Sequence, residues 1–230
     1  MSRLSDSVVA QLQQYTACDV SDALLKLNVP GAGFLADLHL YSPQRADAQP
    51  PACTVVAPVS TVLFAAKDEP RPTQPAANIA AGVHWADVTE PGSFVVMQQP
   101  DGQTNAICGG IMALRIKARG AKGIVVAGRV RDLSELRATE LPIWAQATST
   151  VGAGAASLPW AVQVPLLINK TPVCPGDVAV HDPANGFVVI PANHVAAVLD
   201  LLPKLVAADE QVKRHVEQGM SVAEAFKRFR

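Results

Sequence analysis

The sequence predicts an α/β fold: a single compact domain in which a central β-layer of mixed hairpins and crossovers is wrapped by helices. Three observations carry that expectation. Residues 123–127, Gly-Ile-Val-Val-Ala, are a short, apolar, β-branched run of the kind buried on both faces of an α/β sheet. A helical pattern opened by Gly109-Gly110 and ended by Gly120 precedes that run, and another starting at Arg131-Asp132 follows it, so that a crossover can bring their ends together. Farther on, Asp182-Pro183-Ala184-Asn185-Gly186 makes a tight turn, because Asn-Gly tolerates the positive φ of a hairpin.

From the N-terminus, residues 5–15 read as a first helix with Val8, Val9 and Leu12 on one side. A second begins at Cys18, where Asp19 or Ser21 accepts from a free backbone N–H, and Pro30-Gly31-Ala32-Gly33 closes the unit. Residues 41–51 are rich in Pro, Ala and polar groups and make a loop; 53–64 read as one or two strands broken at Pro58. Three prolines among charges make 67–75 an exposed loop, and a short helix through 79–85 leads to a turn at 87–92 and a strand at 93–97. In the helix after Gly109-Gly110, the residues Ile111, Met112, Leu114 and Ile116 supply a core-facing stripe, with Arg115, Lys117 and Arg119 basic between them. Gly128 stops the 123–127 strand. Residues 142–147 are a further strand, 148–158 a small-residue loop, 160–168 and 173–180 alternate as strands do, and 187–191 is the return strand of the hairpin. The chain ends in helices, 195–206 with a break at Pro203 and a polar one over 209–230. No repeat or linker divides it, so residues 1–230 form one domain, with N-terminal helices in 1–30.

Composition narrows the function. The chain has 230 residues, enough to bury a full core without metal or disulfide staples. It is 49% hydrophobic and 17% charged, below the usual quarter or so, which favours an oligomer that covers part of its surface. A net charge of −1 with scattered Lys and Arg leaves no electrostatic footprint for nucleic acid. Cys18, Cys53, Cys108 and Cys174 lie far apart with no CxxC, which fits free thiols in a reducing compartment. The start lacks an uninterrupted apolar leader and no segment offers about 18 apolar residues in a row, so neither membrane nor export is expected and the location is cytoplasmic.

The Arg131-Asp132 pair carries the most chemistry. Arginine is a charged planar fork that grips a carboxylate with two hydrogen bonds, and an aspartate is a hard oxygen ligand for Mg²⁺ or Mn²⁺. Together they suit an anionic 2-oxo acid chelated by a metal. A plainer alternative has Asp132 as the N-cap and Glu135 as the third residue of a capping box, with Arg131 solvated. Gly109-Gly110 can present backbone N–H groups and the positive helix end to a carboxylate, or be a turn and nothing more. Lys117 and Lys122 read as solvated, not as Schiff-base lysines, and His39, His84, His181, His194 and His215 show no ligand spacing. Cys108, just before the glycine turn, reads as lining and has no nameable base.

At these residues the chain resembles the RraA-like family, which holds the class II 4-hydroxy-4-methyl-2-oxoglutarate/4-carboxy-4-hydroxy-2-oxoadipate aldolases and the regulators of ribonuclease E activity. The aldolase pattern is a glycine, twenty residues, Arg-Asp, two residues and an acid. Here twenty residues separate Gly110 from Arg131-Asp132, and Leu133-Ser134 lead to Glu135. Also similar are VSDAL at Val20–Leu24, the block from Gly123 to Leu136, LPIWA at Leu141–Ala145, and the run from Val173 to Pro191, in which Asn185 stands where an acid is usual. Details such as HWADVTEPGSFVVMQQP look most like the fungal-type branch.

The resemblance implies the swivelling β/α type of fold, assembled as a homotrimer or hexamer with active sites between subunits. It implies that the backbone amides of Gly109, Gly110, Ile111 and Met112 hold the pyruvate carboxylate. Arg131 then binds the substrate's carboxylate or oxo oxygen, Asp132 the divalent metal, Mg²⁺ or Mn²⁺, and Glu135 is the motif acid. A neighbouring subunit's C-terminal helix lends a further acid, Asp209, Glu210 or Glu217, with Glu210 preferred. The implied reaction is retro-aldol cleavage of a 4-hydroxy-2-oxo diacid to pyruvate through a metal-stabilised enolate, and the same enolate would form by decarboxylation of oxaloacetate. No lysine is needed, and a polarised or carboxylate-held water serves as base. The alternative is a non-catalytic regulator that binds an RNA-processing enzyme; the acid at Glu135 favours the lyase. An old family label, demethylmenaquinone methyltransferase, finds no support because no Rossmann-type glycine fingerprint follows a first strand, and no organic cofactor is expected.

Overall fold

A computed structural model describes residues 4–43, 54–68, 70 and 72–230. In chain order these form α1 (Asp6–Leu12), α2 (Ala17–Lys26), β1 (His39–Ser42), β2 (Val55–Ala66), β3 (Phe94–Gln98), α3 (Gly110–Ala118), β4 (Gly123–Val130), α4 (Leu133–Ala138), β5 (Ile143–Thr148), β6 (Ser157–Val162), β7 (Leu166–Ile168), β8 (Thr171–Val173), β9 (Val178–Asp182), β10 (Gly186–Ile190), α5 (Val195–Glu217) and α6 (Val222–Phe229). Short 3₁₀ turns join several of them.

One mixed sheet runs in the order β1-β5-β4-β3-β2-β9-β10, with β6 also paired to β2; β7 and β8 form a separate hairpin. Strands β2, β3, β4 and β5 are parallel neighbours; α3 crosses from β3 to β4 and α4 from β4 to β5, whereas β2 reaches β3 through an irregular segment with one 3₁₀ turn. Alternate residues of the central strands enter different cores, as the pleat requires. Val95, Met97, Ile124 and Val126 pack with Ala113, Ile116 and Leu136 of α3 and α4. Phe94, Val96, Val125 and Ala127 face Trp144 and Phe187 on the other side. A third cluster seats α1, α2 and α5 on β9 and β10 through Leu12, Leu24, Val180, Ile190 and Leu202.

Strand β2 is unbroken, contrary to the expectation at Pro58. Val55 to Pro58 pair with β9, and Val59 onward with β3, so proline's missing N–H falls where the strand changes partner. Cys53, placed at its start from sequence, lies outside the described residues, as do 44–51 of the expected loop; Tyr41 and Ser42 of that stretch are in β1. Strand β4 likewise passes through Gly128. Its register with β5 shifts between Val126 and Arg129, and Gly128 has φ +149 with a would-be Cβ 2.3 Å from Gln99 Oε1, so the glycine makes a bulge and not a stop.

Other differences have equally local causes. Thr16, not Asp19 or Ser21, caps α2: its Oγ1 accepts from Asp19 N (3.2 Å), and the Asp19 carboxylate accepts from Thr16 N (2.8 Å). No α-helix spans 79–85; Asn78 bonds the Val162 backbone in both directions and holds this stretch extended until a 3₁₀ turn at Trp85–Asp87. The 160–168 strand is divided at Gln163, with φ 54, and the 173–180 strand at the turn where Asp177 accepts from Cys174 N (2.7 Å). On α3 the buried face is Gly110, Ala113 and Ile116, while Ile111 is 73% and Leu114 61% exposed, because a three-residue repeat puts those two on another side. Helix α5 continues through Pro203, since burial of Val198, Leu202 and Leu205 outweighs the lost hydrogen bond; the chain breaks later, at Gly219 with φ +95, and α6 begins from the Ser221 cap. The expected 209–230 helix is thus the tail of α5 plus α6.

The hairpin of β9 and β10 follows the sequence closely. The Asp182 carboxylate gathers Ala17 N, Ala184 N, Asn185 N and Asn185 Nδ2 at 2.8–3.2 Å. Beside it, buried His181 accepts from Trp144 Nε1 at 2.9 Å through Nδ1 and packs on Phe94. Burial lowers the His181 pKa to about 4, with only partial offset from Asp182. The unfolded chain therefore takes up this proton first as pH falls, and the stabilisation held above about pH 6.5 is lost on the way to pH 4. Urea titrations at pH 7 and pH 4.5 should show a loss of about 2 kcal/mol from this residue, and His181→Gln should flatten the slope relative to the parent chain. Equal slopes in the two proteins would reject the assignment.

Candidate active site

The site is made by one short pairing. Beyond the sheet proper, Ile107 N donates to Arg129 O (3.0 Å) and Arg131 N to Cys108 O (3.0 Å), so residues 107–108 run parallel to the end of β4. That pairing sets Gly109, the N-cap of α3, directly against Asp132, which leads into α4.

Asp132 occupies the N-cap position of α4 but does not cap it. Its backbone is left-handed (φ 58, ψ 49), and its Oδ2 accepts from Gly110 N at 3.3 Å and from Arg131 Nε at 3.2 Å. The capping-box alternative therefore fails on geometry: the carboxylate faces across to α3 instead of along its own helix. Glycine is required there by space. A Cβ on Gly109 would lie 2.6 Å from Asp132 Oδ2, and one on Gly110 would lie 1.8 Å from Glu135 Oε2 and 2.5 Å from Glu135 Cβ. Arg131, Asp132 and Glu135 thus meet the Gly109-Gly110 turn as a group. The N–H groups of Gly109, Ile111 and Met112 have no acceptor among the described residues, and they sit at the positive end of α3.

A cleft of about 460 Å³ opens beside this turn, lined by Gly109, Ile111, Met112, Arg131 and Asp132; Gly110 and Glu135, packed against each other, do not line it. Its far wall is the 149–156 loop, tied down by Ala106 N donating to Val151 O (2.8 Å), where a Cβ on Gly152 would lie 2.7 Å from Arg131 Nη1. Cys108 also lines it, but burial and the Asp132 charge push that thiol up to about 12, so it stays protonated and is no nucleophile. Two lining residues were passed over from sequence, Lys67 and His84. His84 accepts from Ala86 N at 3.2 Å through Nδ1, which leaves the proton on Nε2. Neither shows a spacing signal; only the fold brings them here. Lys117 and Lys122 stay out of the cleft lining and are exposed.

The family description "RraA-like: Aldolase/RraA" matches residues 17–189 of the chain. The chain belongs to the RraA-like family. A relative in Halalkalibacterium halodurans, provisionally named a 4-hydroxy-4-methyl-2-oxoglutarate aldolase, is 31% identical over 136 residues, which are 59% of this chain and 64% of that protein. The chain thus spans just under two thirds of that relative's length. Among solved structures, an uncharacterized Pseudomonas syringae pv. tomato protein matches with a TM-score of 0.74 and 22% identity, covering 98% of this chain and 99% of that one. Streptomyces coelicolor RraAS2, described as an unusual member of the RNase ES inhibitor RraA protein family, matches with a TM-score of 0.67 and 24% identity over 95% and 98% of the two chains. These two share the RraA-like fold.

The RraA-like cleft presents one carboxylate oxygen open to a hard cation. Among the described residues no group of three or more His, Cys, Asp or Glu could cage a metal. Asp132 Oδ1 has no donor among them, and Mg²⁺ commonly takes one or two carboxylates and fills its sphere with water and substrate oxygens. Glu210 is not in the cleft of its own chain. It lies exposed on α5, where the hydrogen bond from Lys213 (2.7 Å) and that residue's charge lower its pKa; Asp209 pairs with Arg230 Nε at 3.4 Å.

Two alanines should separate packing from binding. At the first helical position alanine is intrinsically favoured over glycine, yet Gly110→Ala should cost about 1–3 kcal/mol by thermal unfolding because Glu135 Cβ cannot give way. Gly152→Ala meets only the far end of Arg131, so it should fold with near-parental stability while binding of pyruvate, followed by calorimetry, weakens. A Gly110→Ala protein as stable as the parent would show that the close approach is not real.

Proposed function

We propose that this RraA-like protein is a carbon–carbon lyase, a metal-dependent class II aldolase that cleaves 4-hydroxy-4-methyl-2-oxoglutarate or a related 4-hydroxy-2-oxo diacid to pyruvate and also decarboxylates oxaloacetate. The observation that supports it most is the left-handed Asp132, whose carboxylate is turned from its own helix toward Gly110 and Arg131 across a cleft. The provisional aldolase name of the H. halodurans relative supports the same class.

On this reading the free N–H groups of Ile111 and Met112 orient the substrate carboxylate at the positive end of α3. Arg131 faces the 2-oxo oxygen, where negative charge develops as the C3–C4 bond breaks. Asp132 holds Mg²⁺ or Mn²⁺, which supplies Lewis-acid polarisation of the 2-oxo group. A carboxylate-held water takes the 4-hydroxyl proton; the oxygen's electron pair forms the new carbonyl, and the C3–C4 pair passes to the enolate of pyruvate, which is then protonated at C3, while Glu135, packed behind Gly110, keeps the turn in place. Lys117 and Lys122, exposed and outside the cleft, form no Schiff base. Assembly as a trimer or hexamer, with Glu210 of a neighbouring subunit completing the site, belongs to the same proposal.

Pyruvate release from oxaloacetate and from the branched hydroxy diacid should appear with Mg²⁺ or Mn²⁺ and vanish with EDTA. Asp132→Ala should remove the metal-dependent turnover, and Arg131→Lys should lower kcat by roughly 10²- to 10³-fold, since an ammonium cannot reproduce the two-pronged grip. Near-parental turnover in Asp132→Ala would refute its role. No turnover of either substrate by the parent protein would leave the non-catalytic regulator of an RNA-processing enzyme as the better account.

A further inference from the structure

We infer that Lys67 is a second anion-binding point of the cleft and selects 2-oxo acids that carry a carboxylate at both ends. Lys67 follows directly on β2 and is fixed twice to the loop on the far wall: its backbone N–H donates to Ala156 O at 2.9 Å, and its ammonium donates to Gly154 O. The same loop meets the Arg131 guanidinium at Gly152. Gly152 and Gly154 are two residues apart, so their Cα atoms are separated by no more than about 7 Å. The two cationic groups therefore flank one short turn, and both line the cleft.

Among the described residues, Lys67 keeps donors open to a ligand. Arg131 has Asp132 as an ion-pair partner, whereas Lys67 has no carboxylate partner among the described residues. An ammonium carries three donors, and Gly154 O uses one. The cleft that Lys67 shares is also lined by the apolar Phe64, Trp85, Leu158 and Pro159, so an anion bound inside it gives up part of its water. A monocarboxylic 2-oxo acid anchored at Arg131 and α3 leaves this ammonium unused; a dicarboxylic one engages both cations.

This inference rests on the 2-oxo acid assignment of the cleft, and a matched pair of unreactive probes separates the two. 2-Oxoglutarate and 2-oxopentanoate have the same chain length and differ only in a terminal carboxylate against a methyl group. In calorimetry with Mg²⁺, the parent protein should bind 2-oxoglutarate at least tenfold more tightly. Lys67→Gln should raise the Kd for 2-oxoglutarate about tenfold and bring the ratio of the two toward one, and Lys67→Arg should restore the preference. A ratio unchanged in Lys67→Gln, or equal weakening of both probes, overturns the role of Lys67 and leaves the lyase proposal standing. Failure of the parent protein to bind either probe removes the 2-oxo acid site itself, and Lys67 selectivity with it.

Discussion

The parallel pairing of residues 107–108 with the end of β4 is the constraint on which the site depends. Two backbone hydrogen bonds of 3.0 Å there bring a glycine turn against an Arg-Asp pair that lies more than twenty positions away in sequence. Once the segments are that close, steric exclusion sets the residue types: side chains larger than hydrogen at 109 and 110 would occupy the volume of Asp132 and Glu135. The left-handed backbone at Asp132, costly for a residue with a Cβ, is held by this arrangement and aims its carboxylate across the gap.

Electrostatics follow from the same placement. Asp132 touches both a cation, Arg131 Nε, and the positive terminus of α3 through Gly110 N, so its negative charge is balanced from two directions while Oδ1 stays open. The neighbouring Cys108 experiences the opposite consequence: burial, with a smaller contribution from the same carboxylate, keeps its thiol protonated.

Much of this was legible in the sequence where local pattern and tertiary context agree. The β-branched run in β4 and the Asn-Gly hairpin follow from residue type and spacing; the crossover brings Gly109-Gly110 toward Arg131-Asp132, whereas Glu135 joins them in the sequence only through the family resemblance. Misplaced features are those in which a distant partner overrides the local signal. Asn78 holds an apparent helix extended by bonding β6, and buried Leu202 and Leu205 carry α5 past Pro203. Gly128 bends a strand around Gln99 without ending it. Lys67 and His84 could not be found this way, because each reaches the cleft through a loop position fixed only by contacts from elsewhere in the chain.

Strand β2 has a further significance. Its first part belongs to the layer with β9 and β10, its second to the layer with β3 and β6, and the backbone passes from one to the other at Pro58 without a gap. The layer that carries the cleft and the layer that seats the terminal helices therefore share a single spine. Fraying of either layer would therefore expose part of a strand that the other layer also uses, and Lys67 stands at the end of that common strand.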